Sequence, residues 1–383
     1  MRVLKSKYMK KVVIAIDSFK GCLPSAEAGK AAAEGIRSVY PECEVICLPI
    51  ADGGEGMLDV LIMATNGQEV PISAHDPLMR WRNTYYGISE NEETAFIEMA
   101  SISGLPLVPP ERRNPMLTTT YGTGEIIRDA LERGCRNFIT GIGGSATNDA
   151  GLGMLQALGF RFSDKEGKKV GTGCGEVLIK VAHIDSTFVH PALNSCRFTV
   201  ACDVQNPFYG PEGAAYVFAP QKGADREMVE ALDAGLQNFA EVIRHTTGKD
   251  ISHHPGAGAA GGMGGSLLAF LNAELKPGIQ LMLEALDFSN KIKSADLIIT
   301  GEGKADRQTL MGKVPSGILA EARKQNIPVI LLAGNIEDSD ELQQAGFEGV
   351  FSVNPPFISL EEAMRPEVAC KNIQQTVESI CKK

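Results

Sequence analysis

The sequence has no apolar run approaching the roughly 20 residues of a membrane span, no C-x-x-C pair, and no surplus of positive charge. With 47 acidic against 37 basic side chains the net charge is −10. Its average field repels phosphate polymers and anionic membranes, so neither nucleic acid nor a membrane is an expected partner. A small anionic substrate stays open, because a few lysines in a cleft outweigh a distant surface that salt screens over about 10 Å. The nine cysteines (22, 43, 47, 135, 174, 196, 202, 370 and 381) are odd in number, a usage that points to a reducing, cytoplasmic setting. Met1–Lys11 is basic, but only Val12–Ile16 follow as an apolar run, too short for a secretion signal. Residues 1–8 read as an extension without a role in the fold.

Signature motifs are also missing. There is no G-x-x-x-x-G-K-[ST], so the chain is not a P-loop enzyme, and the protein-kinase signatures are absent. Six histidines include no H-E-x-x-H, which speaks against zinc. Ser145 follows two glycines, yet Gly143–Thr147 lacks the closing glycine of a hydrolase G-x-S-x-G.

What is present describes a globule. A chain of 383 residues exceeds what one core sustains, so two domains are expected. Lys11–Ile16 reads as a buried strand, Ala28, Ala31, Ala32, Ile36 and Val39 mark one face of a helix, and Val45–Ile50 gives a second strand. The same rhythm returns in strand Ala295–Thr300, helix Ser316–Lys324, strand Pro328–Ala333, a short strand at 349–353 and helix Asn372–Cys381. Buried strands alternating with helices imply a parallel sheet covered on both faces. The middle has amphipathic strands and long helices near 124–133 and 225–245, as a second α/β domain inserted into the first would. The expected boundaries are 9–72 plus 291–383 for the outer domain and 73–290 for the insert.

Six polar or glycine-rich segments stand out, most of them where a predicted strand ends, the position of the ligand crevice in open parallel sheets. They are Asp17–Gly21, Ala51–Gly56, Gly141–Asp149, Ala201–Pro207, Gly256–Gly265 and Gly301–Asp306, with Gly312-Lys313 behind the last. One such turn is often only a connection. Five of the six carry a carboxylate or its amide, four of them beside glycines, and an acid at a strand end needs a partner. Phosphoryl transfer needs cations and amides for a phosphate tail, carboxylates for Mg²⁺ and an acid to orient the attacking hydroxyl. Lys20, Lys304 and Lys313, then Asp17, Asp52, Asp203, Glu302 and Asp306, supply that inventory. Gly256-x-Gly258-x-x-Gly261 matches a dinucleotide fingerprint and supports a rival, an NAD-dependent hydroxy-acid dehydrogenase, but Ser252–Pro255 before it makes a poor strand. Its amides are equally suited to cradle phosphate, and its glycines to let two backbones touch.

Asp17-Ser18-Phe19-Lys20, Ala51–Gly56, Gly141–Thr147, Ala201–Asp203, Pro220–Ala224, Gly256–Gly264 and Ile299–Gly303 together resemble the bacterial glycerate kinase family of glycolate and glucarate breakdown, in family order from residue 9 to the C-terminus. The resemblance implies a flavodoxin-like domain built from both chain ends, an inserted α/β domain, and Mg-ATP-dependent phosphorylation of D-glycerate, usually to 2-phosphoglycerate, in the cleft between them. Departures are Lys304-Ala305-Asp306 where the family usually has Arg-Ile-Asp, Ile16 where Pro is usual, and Gly21-Cys22 where Glu-Ser is common. A lysine cannot reproduce the bidentate fork of an arginine. The roles expected here are Lys20 and Lys313 on anionic groups and Asp306 or Asp203 as base. Asp52, Glu55 and Glu302 are expected at Mg²⁺. Gly143, Gly144, Ser145, Gly301, Glu302 and Gly303 are expected along the ATP phosphates, and Asp17, Ser18, Asp52, Gly53, Gly54 and Asn148 at the substrate.

Overall fold

The computed structural model describes residues 9–54 and 56–382. In chain order its strands are β1 (Lys11–Ile16), β2 (Glu44–Cys47), β3 (Gln68–His75), β4 (Trp81–Ile88), β5 (Thr94–Glu98), β6 (Asn137–Gly141), β7 (Arg161–Ser163), β8 (His183–Asp185), β9 (Arg197–Ala201), β10 (Glu274–Lys276), β11 (Leu297–Ala305), β12 (Val329–Ile336) and β13 (Gly349–Ser352). The chain up to Asp52 and from Ile279 onward forms one compact unit, and Gly53–Gly278 forms the other.

The first unit is a five-stranded sheet in the order β2-β1-β11-β12-β13, with every neighbour parallel. Numbered within the unit that order is 2-1-3-4-5, the flavodoxin-like arrangement, whose crevice opens where the order reverses, between β1 and β11. Val12–Ile16 are buried because parallel strands are covered on both faces. Helix Ser25–Val39 covers one face through Ala28, Ala31, Ala32 and Ile36. It lies so close to helix Pro366–Cys381 that a methyl group on Gly35 would meet the Gln374 carbonyl at 2.6 Å.

The second unit is a mixed six-stranded sheet, β10-β9-β6-β5-β4-β3, with a separate β7-β8 hairpin. β10, β9, β6 and β5 run parallel, and β4 and β3 close one edge antiparallel. Its core gathers side chains from Val70 to Ala273, and helix Arg226–Thr247 contributes Val229, Leu232, Leu236, Phe239 and Ile243 to it.

Two sequence-based boundaries move. The connections fall at Asp52/Gly53 and Gly278/Ile279 instead of 72/73 and 290/291. Helix Met57–Ala64 is apolar on nearly every side, so its sequence does not say which sheet it serves. It serves the second, where a methyl group on Gly141 would touch Met57. In addition, Gly301–Ala305 is not a loop after a strand. It is strand itself, paired as far as Ala305↔Ile336, because glycines at 301 and 303 weaken the strand signal without preventing the ladder.

Candidate active site

At the carboxyl ends of the first unit's strands lies a pocket of about 740 Å³. Asp17, Ser18 and Lys20 reach it from the end of β1, Asp52 from the turn after β2, and Glu302, Gly303 and Lys304 from β11. Lys313 enters as the N-cap of helix Val314–Lys324, so an ammonium and the positive end of an 11-residue helix meet at one point. Two of the cations sit beside a carboxylate at a distance longer than a good hydrogen bond: Lys20 to Asp52 at 3.7 Å, Lys313 to Glu302 at 3.8 Å. Lys304 is drawn aside, to Glu337 at 2.9 Å and Asp306 at 3.5 Å.

Asp17 and Glu302 are each only 6% exposed. Burial pushes the Asp17 carboxyl up from 3.8 to about 7, and the charges of Asp52 and Glu302 add to that, against the Ser18 amide (2.7 Å) and Lys20. Burial also raises Glu302, opposed by the Thr309 hydroxyl donated to its Oε1 at 2.6 Å and by Lys313. Perturbed carboxyls in a concave polar pocket mark a functional site.

Asp306 and Gly301 stand apart. Asp306 does not line the pocket; its side chain caps the turn Arg307–Leu310, accepting from the Gln308 amide at 2.8 Å while the Asp306 backbone amide donates to the Thr309 hydroxyl at 2.9 Å. Its carboxyl lies below the ordinary value: desolvation pushes it up, and the Gln308 amide with Lys313 and Lys304 outweighs that. Gly301 is enclosed between β1 and β12, its carbonyl taken by the Asp17 amide. Glu55 lies outside the described residues.

Gly53, Gly54, Gly143, Gly144, Ser145, Asn148 and Asp203 belong to the second unit. There the loops after neighbouring strands β6 and β9 start at Ile142 and Cys202. The Gly143–Ala146 turn is pinned by the Leu105 amide on the Gly144 carbonyl and the Ala146 amide on the Ser103 carbonyl, both at 2.9 Å. Asp203 accepts the Gly278 amide at 2.9 Å. Asn148 is fully buried with both amide atoms lacking a hydrogen-bond partner, an arrangement that calls for a ligand or water. Gly256–Gly265 resolves as a packing element. A methyl group on Gly258 would strike the Pro207 carbonyl, one on Gly261 (φ +67°) the Thr147 carbonyl, and no strand precedes the run. The dinucleotide fingerprint therefore lacks its required context.

Lys222 carries no expected role from the sequence, although Pro220–Ala224 is legible as a motif, and the structure places it under a candidate loop. It is 2% exposed and donates to Ser145 Oγ at 2.8 Å and to the Thr147 carbonyl at 2.6 Å, holding the Gly143–Asn148 loop. Burial drives its ammonium down from 10.5 to about 7, with Asp149 pulling the other way. Between those values the unfolded chain holds the extra proton, so this lysine's contribution makes stability rise with pH from about 7 to 10.5. Lys222→Met is expected to flatten that rise in Tm while lowering kcat at least ~10-fold through a misplaced loop. Melting curves at pH 7 and 9 beside steady-state rates check both.

A doubly wound sheet with lysines and carboxylates converging at its switch point defines an α/β enzyme for a small anionic ligand. The model of the glycerate kinase family matches residues 12–383, and the chain belongs to that family, which makes it an enzyme of the kinase class. It is 45% identical over 371 residues to the glycerate kinase of Bacillus subtilis (strain 168), covering 97% of this chain and 96% of that one. It is 47% identical over 356 residues to the glycerate 2-kinase of Escherichia coli (strain K12), covering 93% of each. A solved structure from Salmonella typhimurium LT2, assigned as glycerate kinase 2, superposes with a TM-score of 0.89 at 44% identity over 98% of both chains.

Proposed function

We propose that the protein transfers the γ-phosphoryl group of ATP to a hydroxyl of D-glycerate, forming 2-phosphoglycerate. The observation that carries this reading is the convergence of Lys20, Lys304 and Lys313 with Asp17, Asp52 and Glu302 on one pocket at the switch point. Phosphoryl transfer is mostly positioning and charge stabilisation, and this is the set it needs. The regiochemistry follows the E. coli relative, a glycerate 2-kinase. Nine free cysteines favour a cytoplasmic setting, and no helix among the described residues is long and apolar enough to cross a membrane.

In this reading Lys20 and Lys313 bind the transferring phosphoryl and the glycerate carboxylate, and Asp17 orients the attacking hydroxyl and accepts its proton. Asp17 fits better than Asp306, whose acceptor is committed to a cap, or Asp203, which accepts the Gly278 amide. No group of three or more metal-binding side chains occurs among the described residues. Kinases hold Mg²⁺ through one or two carboxylates plus phosphate oxygens, and the crowded carboxyls of Asp52 and Glu302 fit that mode. Bound there, the ion would supply neutralisation of phosphate charge. The amides of Gly143 and Gly144, the Ser145 hydroxyl and the unpartnered Asn148 amide are assigned to phosphate and substrate recognition, as are Gly53, Gly54, Ser18 and Gly303.

Mixing the protein with Mg-ATP and a panel of hydroxy acids, then locating the phosphorylated carbon by NMR, tests this. Glycerate binding without ADP formation, or NADH formation without ATP, would sink it. Asp306→Asn separates the candidate bases: asparagine caps as well as aspartate, so kcat should stay within about threefold and Tm nearly unchanged. A fall of 10²–10⁴ would instead make Asp306 the base.

A further inference from the structure

The pocket is lined by two unlike sets of side chains, and glycerate explains only one. A cavity of about 740 Å³ belongs to the roughly 300–1,000 Å³ class that encloses a drug-sized ligand; a three-carbon acid fills a small part of it. Part of its wall is apolar, built by Cys22 and, in the segment from Pro355 to Met364, by Pro355, Pro356, Ile358, Leu360, Ala363 and Met364, with Phe357 between two of these lining residues. That segment exposes large apolar side chains in close succession: Phe357 entirely, Leu360 by 75% and Met364 by 40%. Scattered exposed apolar residues need no explanation, whereas a group of them at a pocket mouth marks a binding surface. Phe357 also holds φ +68°, a left-handed backbone that bulky residues avoid and that is retained where function requires it.

The wall is anchored. The Ser359 hydroxyl accepts the Glu362 amide at 3.2 Å and caps Leu360–Ala363, the Cys22 thiol points to the Ala363 carbonyl at 3.9 Å, and the Asn354 amide donates to the Gly334 carbonyl at 2.8 Å. A fixed apolar surface and ammonium groups lining one pocket match a ligand with a flat ring and a polyanionic tail.

We propose, resting on the kinase reading above, that the apolar wall of this pocket seats the purine base of the nucleoside triphosphate, framed by Cys22, Ile358, Leu360 and Met364, with the exposed Phe357 folding over the base. The triphosphate then extends toward Lys20 and Lys313, and the base is held by stacking and burial.

Two measurements on the full-length protein test this. Phe357→Ala and Leu360→Asp, both at exposed positions, should each raise KM for ATP roughly 5- to 100-fold, the range that loss of base stacking predicts, while KM for glycerate and kcat at saturating ATP stay within about twofold. Separately, alkylation of Cys22 by N-ethylmaleimide, followed by mass spectrometry of its peptide, should be slowed by ADP but not by tripolyphosphate or glycerate. An unchanged KM for ATP in both variants, a shift in KM for glycerate instead, or equal protection by tripolyphosphate or glycerate would overturn the base site. If ADP shields Cys22 while no phosphoglycerate forms with any hydroxy acid, the base site stands and the glycerate kinase reading falls.

Discussion

Asp17→Asn is expected to lower kcat by about 10²–10⁴, the usual worth of a positioned general base, with little change in KM for ATP. The same substitution should stabilise the ligand-free protein above neutral pH. The Asp17 carboxyl titrates near 3.8 when unfolded and at about 7 when folded, so the native state holds the extra proton between those values. The associated stability is complete below about pH 4 and is lost as pH rises through 7. By linkage the loss is at most about 4 kcal/mol. Melting curves at pH 5 and 8 should therefore show the variant gaining more on the wild type at the higher pH. Asparagine keeps the acceptor for the Ser18 amide, so a loss of activity without loss of fold isolates the charge. A variant with near-normal kcat would remove Asp17 from the role.

Lys313→Met should cost about 3–4 kcal/mol of transition-state stabilisation, read as a fall of about 10²–10³ in kcat/KM. The lysine brings its ammonium to the start of helix Val314–Lys324 and faces a Glu302 that is only 6% exposed. Without that charge Glu302 loses an influence that lowers its pKa, and the phosphoryl loses a cation. Lys313→Arg should recover part of the rate, because charge returns without the same reach. Equal loss in both variants with a lowered Tm would assign the residue to helix capping alone.

The strands of the first unit were legible because parallel strands are buried on both faces and spell themselves as continuous Val, Ile and Leu: β1 falls where Lys11–Ile16 reads as strand. Asp17, Lys20, Asp52, Glu302 and Lys313 were legible as candidates because they follow or end such runs. The nearby apolar wall from Pro355 to Met364 carried no motif, since ordinary apolar residues in a loop acquire meaning only from the pocket beside them. Lys222 stood in a recognisable Pro-Gln-Lys-Gly-Ala run, yet its burial against Ser145 depends on a loop some seventy residues earlier in the chain.

By itself the sequence determined the class of fold and, through residue types recurring at strand ends, the kind of chemistry, because periodicity and side-chain inventory are local properties. Tertiary structure decided which acid among several is buried and close to neutral pH, which one is tied up as a cap, which glycines touch backbone and not ligand, and which sheet helix Met57–Ala64 joins. Those outcomes depend on desolvation and on neighbours brought together from distant parts of the chain, and a linear order of residues does not fix either.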